Sequence, residues 1–143
     1  MASTGLAVFD KTLQETNLWL KEIMDALGLE NREDAYAALK ATLHALRDRI
    51  GPENAVHLGA QLPILLRGVF YEGWHPAKTP THERHLGVFL DHLSDRLPAR
   101  LSDEPELLAR AVFNVMWRRV DAGEVAKLTE ILPSELRELL AAA

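Results

Sequence analysis

The chain contains no cysteine, which removes disulfides, thiolate catalysis and thiolate zinc sites from consideration. No stretch approaches the roughly 20 consecutive apolar residues of a membrane-spanning helix. The opening Met1–Asp10 segment has no basic start followed by a long apolar run, so no secretory leader is expected and the expected location is cytoplasmic. Excess positive charge is also missing. Lys and Arg total 16 against 21 Asp and Glu, for a net charge of −5. A protein that holds a phosphate backbone needs several cations on one surface to release counterions, so nucleic acid is not an expected partner. Period-two alternation, the mark of a half-buried strand, is not sustained anywhere. There is no Gly-rich phosphate loop, no Gly-x-Ser-x-Gly elbow and no metalloprotease motif. No catalytic residue and no cofactor is therefore expected, and an enzyme is the less favoured class.

What the chain does have is material for a core and a repeat. Of its 143 residues, 48% are hydrophobic, an ordinary globular fraction. Displaced by 70 positions, the sequence matches itself without a gap. Ala41 meets Ala111, Arg49 meets Arg119, Leu58 meets Leu128, Leu62-Pro63 meets Leu132-Pro133, and Leu66-Arg67 meets Leu136-Arg137. Upstream, Trp19 falls on Phe89, Ile23 on Leu93 and Asp25 on Asp95. Self-similarity at a fixed offset means repeated supersecondary units. One such unit of about 70 residues buries too little surface to be stable alone. The expected fold is all-α: a compact helical bundle, one domain over 1–143, with repeat one at about 1–70 and repeat two at about 71–140. About four helices are expected per repeat, related by pseudo-twofold symmetry.

Apolar spacing and punctuation predict the helices. In the first repeat one runs from Phe9 to Leu27 and stops at Gly28. A second, capped by Asn31, reaches Ile50 and Gly51. A short third begins at Pro52, and a fourth follows Pro63. In the second repeat Pro80 or Thr81 begins a helix that Pro98 stops. Ser102 caps a long helix running to Asp121, Val125 and Leu128 share a short one, and Pro133 opens the last.

Five groups of residues are candidates for more than packing. Arg49, Arg119, Arg67 and Arg137, with Asp25 and Asp95, recur at the offset. They are expected to tie helices together within each copy, since an arginine fork suits helix C-termini and carboxylates; a shared anion pocket is the alternative. Tyr71, Trp74 and His75 lie in the Tyr71–Pro80 connector, either docked or forming a candidate interaction loop. His82, His85 and His92 would approach one face of the helix expected after Pro80, a weak metal-ligand spacing. The basic pieces Arg47-Asp48-Arg49 and Trp117-Arg118-Arg119 are short for nucleic acid. The helix over Ser102–Asp121, with Leu108, Val112, Phe113, Val115, Met116 and Trp117, carries an apolar arc wide enough for a central core helix or an interface. The function these readings favour is a non-enzymatic interaction or scaffold module, self-associating or docking a protein partner. The alternative is a small-ligand or metal binder using the groove between the repeats, with His75, His82 and His85.

Several pieces look familiar: Phe9 to Leu20, Leu46-Arg47-Asp48-Arg49-Ile50, Gly59-Ala60-Gln61-Leu62-Pro63 and Arg67 to Pro76. Nearly the whole chain resembles a bacterial family known as domain of unknown function 2267. The Ala-Gln-Leu-Pro and Tyr-x-Gly-Trp-x-Pro pieces are the most specific. The resemblance implies a small helical protein, and it brings no catalytic residue, substrate or cofactor to carry over.

Overall fold

A computed structural model describes residues 4–141. The first three residues, part of the stretch read for a leader, lie outside it. Among the described residues the fold is all-helical, with eight α-helices: α1 Ala7–Leu27, α2 Arg32–Ile50, α3 Pro52–Gly59, α4 Ile64–Tyr71, α5 Leu86–Ser94, α6 Pro105–Trp117, α7 Ala122–Ile131 and α8 Ser134–Leu140. None of them is long and apolar enough to cross a membrane.

Local chemistry sets most of the boundaries. Gly28 ends α1 in the left-handed region at φ 66°, where a Cβ would be strained. Asn31 caps α2 by accepting from the Asp34 N–H at 2.8 Å, which satisfies one of the donors a helix start leaves unpaired. Pro52 starts α3 at a position where its missing N–H costs nothing. Asp121 caps α7 through the Gly123 and Glu124 N–H groups.

Several boundaries in the second half differ from the sequence reading. The helix expected from Pro80 or Thr81 begins only at Leu86, and Thr81–His85 are not helical. Ser102 does not cap α6. Its hydroxyl donates back to the Ala99 carbonyl at 2.9 Å, and Pro105 starts the helix. At the other end, α6 stops at Trp117 rather than reaching Asp121.

One hydrophobic cluster runs through both halves of the sequence. It takes in Trp19, Ile23, Leu39, Leu43, Leu46 and Phe70, together with Phe89, Leu93, Phe113, Met116 and Leu136. Full burial of a side chain of this size is worth about 1.5–3 kcal/mol. Helix α2 is the central post and touches α1, α3, α4, α5 and α6. Its buried Ala35, Ala38, Ala41 and Ala45 let those neighbours approach closely. The wide arc on α6 is core: Leu108, Val112, Phe113, Val115 and Met116 are all buried, and the half-buried Trp117 packs against the same cluster.

His44, on α2, is half-buried and its Nε2 donates to the Val69 carbonyl at 2.7 Å. Burial is the main cause that pushes its pKa below 6.5, and the cations of Arg47, Arg96 and Lys40 push the same way. The folded protein therefore resists protonating His44 while the unfolded chain does not. Below about pH 6.5 the unfolded state binds the extra proton, and stability falls until pH passes the lowered folded value. Each unit of depression corresponds to about 1.4 kcal/mol. The melting temperature of the wild type is expected to drop as pH is lowered through this window, and that of His44→Gln to drop less. Parallel curves for the two proteins would show that the acid loss arises elsewhere.

Candidate functional site

The first turns of α1 extend past the core. Along one stripe of that helix, Phe9 and Leu13 are 51% and 39% exposed, whereas Leu20 further along is 7% exposed. Leu6, Val8 and Leu18 are exposed on the same element, as are Ile64 and Leu65 at the start of α4. The two elements meet where the Leu65 N–H donates to the Thr12 hydroxyl at 3.0 Å.

Between them lies a groove of about 460 Å³. Buried Trp19 and Leu62 form its floor, Val8, Leu18 and Ile64 stand on its walls, and Lys11, Glu15, Arg67 and Arg119 bring charge to it. Arg67 is fixed by the turn before it. Pro63 starts α4, and one turn on, the guanidinium folds back to the Gly59, Ala60 and Leu62 carbonyls at 2.9, 3.2 and 3.1 Å. These carbonyls lie at and just after the end of α3, where helix ends leave acceptors without intrahelical donors. Arg119 follows α6, lies over the Trp19 ring at 5.9 Å and ion-pairs with Glu22 of α1. The Gln61 carbonyl oxygen accepts from the Asp121 N–H at 2.7 Å, which joins the groove's rim to the start of α7.

The matched arginines are tied down, but two of them not as expected. Arg137 stays within its own half and donates to Leu132 O at 2.8 Å and Glu130 O at 3.0 Å. Arg49 and Arg119 reach across. Arg49 donates from Nε to the Glu83 carbonyl at 2.8 Å, and Arg119 takes Glu22. The reason is local: α2 ends beside the non-helical Thr81–His85 stretch, and Arg119, after α6, lies beside α1. The matched aspartates do not join helices. Asp25 pairs only with Lys21 one turn away at 3.8 Å, and Asp95 is exposed at the end of α5. Both face solvent, where no second helix brings a cation.

Glu83, a charged residue that by type would be expected on a solvated surface, is a member of the site instead. It is buried and its carboxylate accepts from His92 Nδ1 at 2.8 Å. Burial pushes the carboxyl up, but hydrogen bonds from the Thr81 hydroxyl and His92 outweigh it and hold the pKa below the ordinary value. Helical spacing no longer relates the three histidines, because His82 and His85 precede α5 in an extended stretch. His85 bonds Glu135 at 3.0 Å instead. Among the described residues no group of three or more His, Cys, Asp and Glu side chains is arranged to hold a metal ion. None of His75, His82 and His85 lines the groove between α1 and α4.

In the connector, Tyr71 and Trp74 stack at 5.2 Å and pack on the core, while His75 is exposed. Arg47, read as part of a basic surface piece, is buried, because its guanidinium is drawn inward by the carbonyls that end α4. The signal that could have located the groove is the apolar content of early α1. Leu6, Val8, Phe9, Leu13 and Leu18 scatter too widely around a helix for one neighbour to cover them.

No curated protein matches the chain. Residues 16–139 match the family described as an uncharacterized conserved protein, DUF2267, and the chain belongs to that family.

Proposed function

We propose that this protein is a non-enzymatic interaction module: one domain of two tandem helical copies that associates with its own kind through the end of α1. The carrying observation is where its oily surface lies. Leu6, Phe9 and Leu13, at the start of α1 and outside the groove, are large apolar side chains that the fold leaves exposed. Single exposed apolar residues are ordinary; a gathering of this kind marks a contact surface. The tandem reading has its own support. Subtracting 70 from the bounds of α6, α7 and α8 puts each on α2, α3 or α4. Arg67 and Arg137 each hold the carbonyls two and four positions before the final segment's proline-led start, Leu62 with Ala60 and Leu132 with Glu130, in the same way.

Sedimentation from micromolar to millimolar protein tests the association. The wild type is expected to sediment faster as concentration rises, and the double variant Phe9→Ser, Leu13→Ser to stay monomeric throughout. Both residues are largely exposed, so the variant should keep its fold. A wild type that remains monomeric at every concentration would refute self-association through this face.

A further inference from the structure

The groove lies on the other side of α1 from the Phe9–Leu13 stripe, and its chemistry is different. On a chain of net charge −5, it gathers Lys11, Arg67 and Arg119 against one carboxylate, Glu15. Lys11 and Glu15 pair loosely at 3.8 Å, and Arg119 has Glu22. Arg67 bonds carbonyls only. Among the described residues no carboxylate pairs with its charge. A half-buried guanidinium without a counter-charge, over an apolar floor, attracts a carboxylate whose neighbours are apolar.

The chain itself holds an example of an extended segment that brings a carboxylate to a matched arginine, though without apolar neighbours. Next to Arg49, the non-helical stretch Thr81–His85 lies against the end of α2. The Thr81 N–H donates to the Asp48 carbonyl at 2.8 Å, Arg49 Nε donates to the Glu83 carbonyl, and the buried Glu83 carboxylate faces Arg49 at 4.0 Å. In the tandem reading Arg119 is the counterpart of Arg49. Residues 7–15, the counterparts of 77–85, are wound into α1, so among the described residues they leave no extended segment beside Arg119 and the groove is open.

We infer that this groove receives an extended peptide of a partner protein, bearing one Glu or Asp side chain between apolar residues, with the carboxylate beside Arg67 and Arg119 and the apolar side chains over Trp19 and Leu62. The inference rests on the tandem reading for its internal example, and it concerns a different face from the one that self-associates.

The probe is a capped pentapeptide, Leu-Thr-Glu-Leu-Ile, titrated into isotope-labelled full chain and followed by amide and indole NMR shifts. Saturable shifts at the Trp19 indole and along residues 8–19 and 61–67 are expected. The Gln-for-Glu peptide should bind about tenfold more weakly, the loss of one charge-assisted hydrogen bond at about 1.4 kcal/mol per decade. Arg119→Gln should weaken the Glu peptide and leave the Gln peptide nearly unchanged. Equal binding of the two peptides, shifts confined to Asp48, Arg49 and Phe89, or no shifts at millimolar peptide would each overturn the inference. The Phe9→Ser, Leu13→Ser variant should bind the peptide like the wild type, so the peptide site and the self-association face stand or fall separately.

Discussion

Replacing Arg47 with alanine is expected to destabilise the protein by about 3–5 kcal/mol, the range for removing one partner from a buried charged network. Arg47 is 4% exposed. Its Nη1 donates to the Phe70 and Glu72 carbonyls, both at 2.9 Å, and its Nε donates to Asp48 at 2.8 Å. The first two acceptors sit where α4 ends, and helix ends leave carbonyls without intrahelical donors. Truncation would leave those carbonyls and part of the Asp48 carboxylate without a donor, and would open a void beside α2. Buried acceptors without partners cost about 1–3 kcal/mol each. Arg47→Lys should recover only part of the loss, since an ammonium cannot reproduce the fork that spans two carbonyls and a carboxylate. Urea unfolding reads the result as a fall in midpoint at constant slope. A loss under about 1 kcal/mol would mean that water replaces the guanidinium at these carbonyls and that the tether is unimportant.

Gly59→Ala is expected to be the second most damaging small change, at about 1–3 kcal/mol, the usual cost of overpacking. Gly59 closes α3, where alanine would ordinarily gain up to about 1 kcal/mol of helix propensity. Here a Cβ would stand 2.2 Å from the Tyr71 hydroxyl oxygen and 2.6 Å from the ring carbon that bears it. The ring cannot easily yield, because it is stacked on Trp74 and tilted against Phe70 at 5.2 Å. Tyr71→Phe removes the oxygen but not the ring carbon, so it should relieve the clash in part. Tyr71→Leu should make Gly59→Ala nearly harmless. A double-mutant cycle on thermal unfolding measures this coupling. A Gly59→Ala protein as stable as the wild type in the Tyr71 background would show that the connector shifts freely.

The helices of the first half were legible because their signals are local. Gly28, Asn31, Pro52 and Pro63 each act within one turn, and each marks a helix end or start in the structure. The start of α5 was not legible for the opposite reason. Thr81, His82, Glu83, Arg84 and His85 supply no apolar side chain to hold a helix on the core, while the end of α2 offers them tertiary partners in Asp48 and Arg49. Hydrogen bonds to a distant segment outweighed a weak helical preference. The same asymmetry governs the arginines. Their recurrence could be read directly, but their partners Glu22 and Glu83 do not correspond at the 70-residue offset, where His92 and Leu13 stand instead. The groove was hidden because it is made by what fails to cover Val8, Leu18 and Ile64, and spacing along a sequence reports which side chains are oily, not which are left uncovered.

The crossing of Arg49 to Glu83 and of Arg119 to Glu22 has a mechanical consequence. Each half of the chain thus holds the other through one of its matched arginines, alongside further cross-half pairs such as Arg96 with Asp48 and Arg100 with Asp34, in addition to sharing apolar contacts. A protease cut in the exposed His75–Lys78 stretch would break a single covalent link and leave both grips closed, so the fragments would remain together as a non-covalent pair. Made separately, each fragment would carry an arginine whose acidic mate belongs to the other piece, and mixing them would restore both pairings at once.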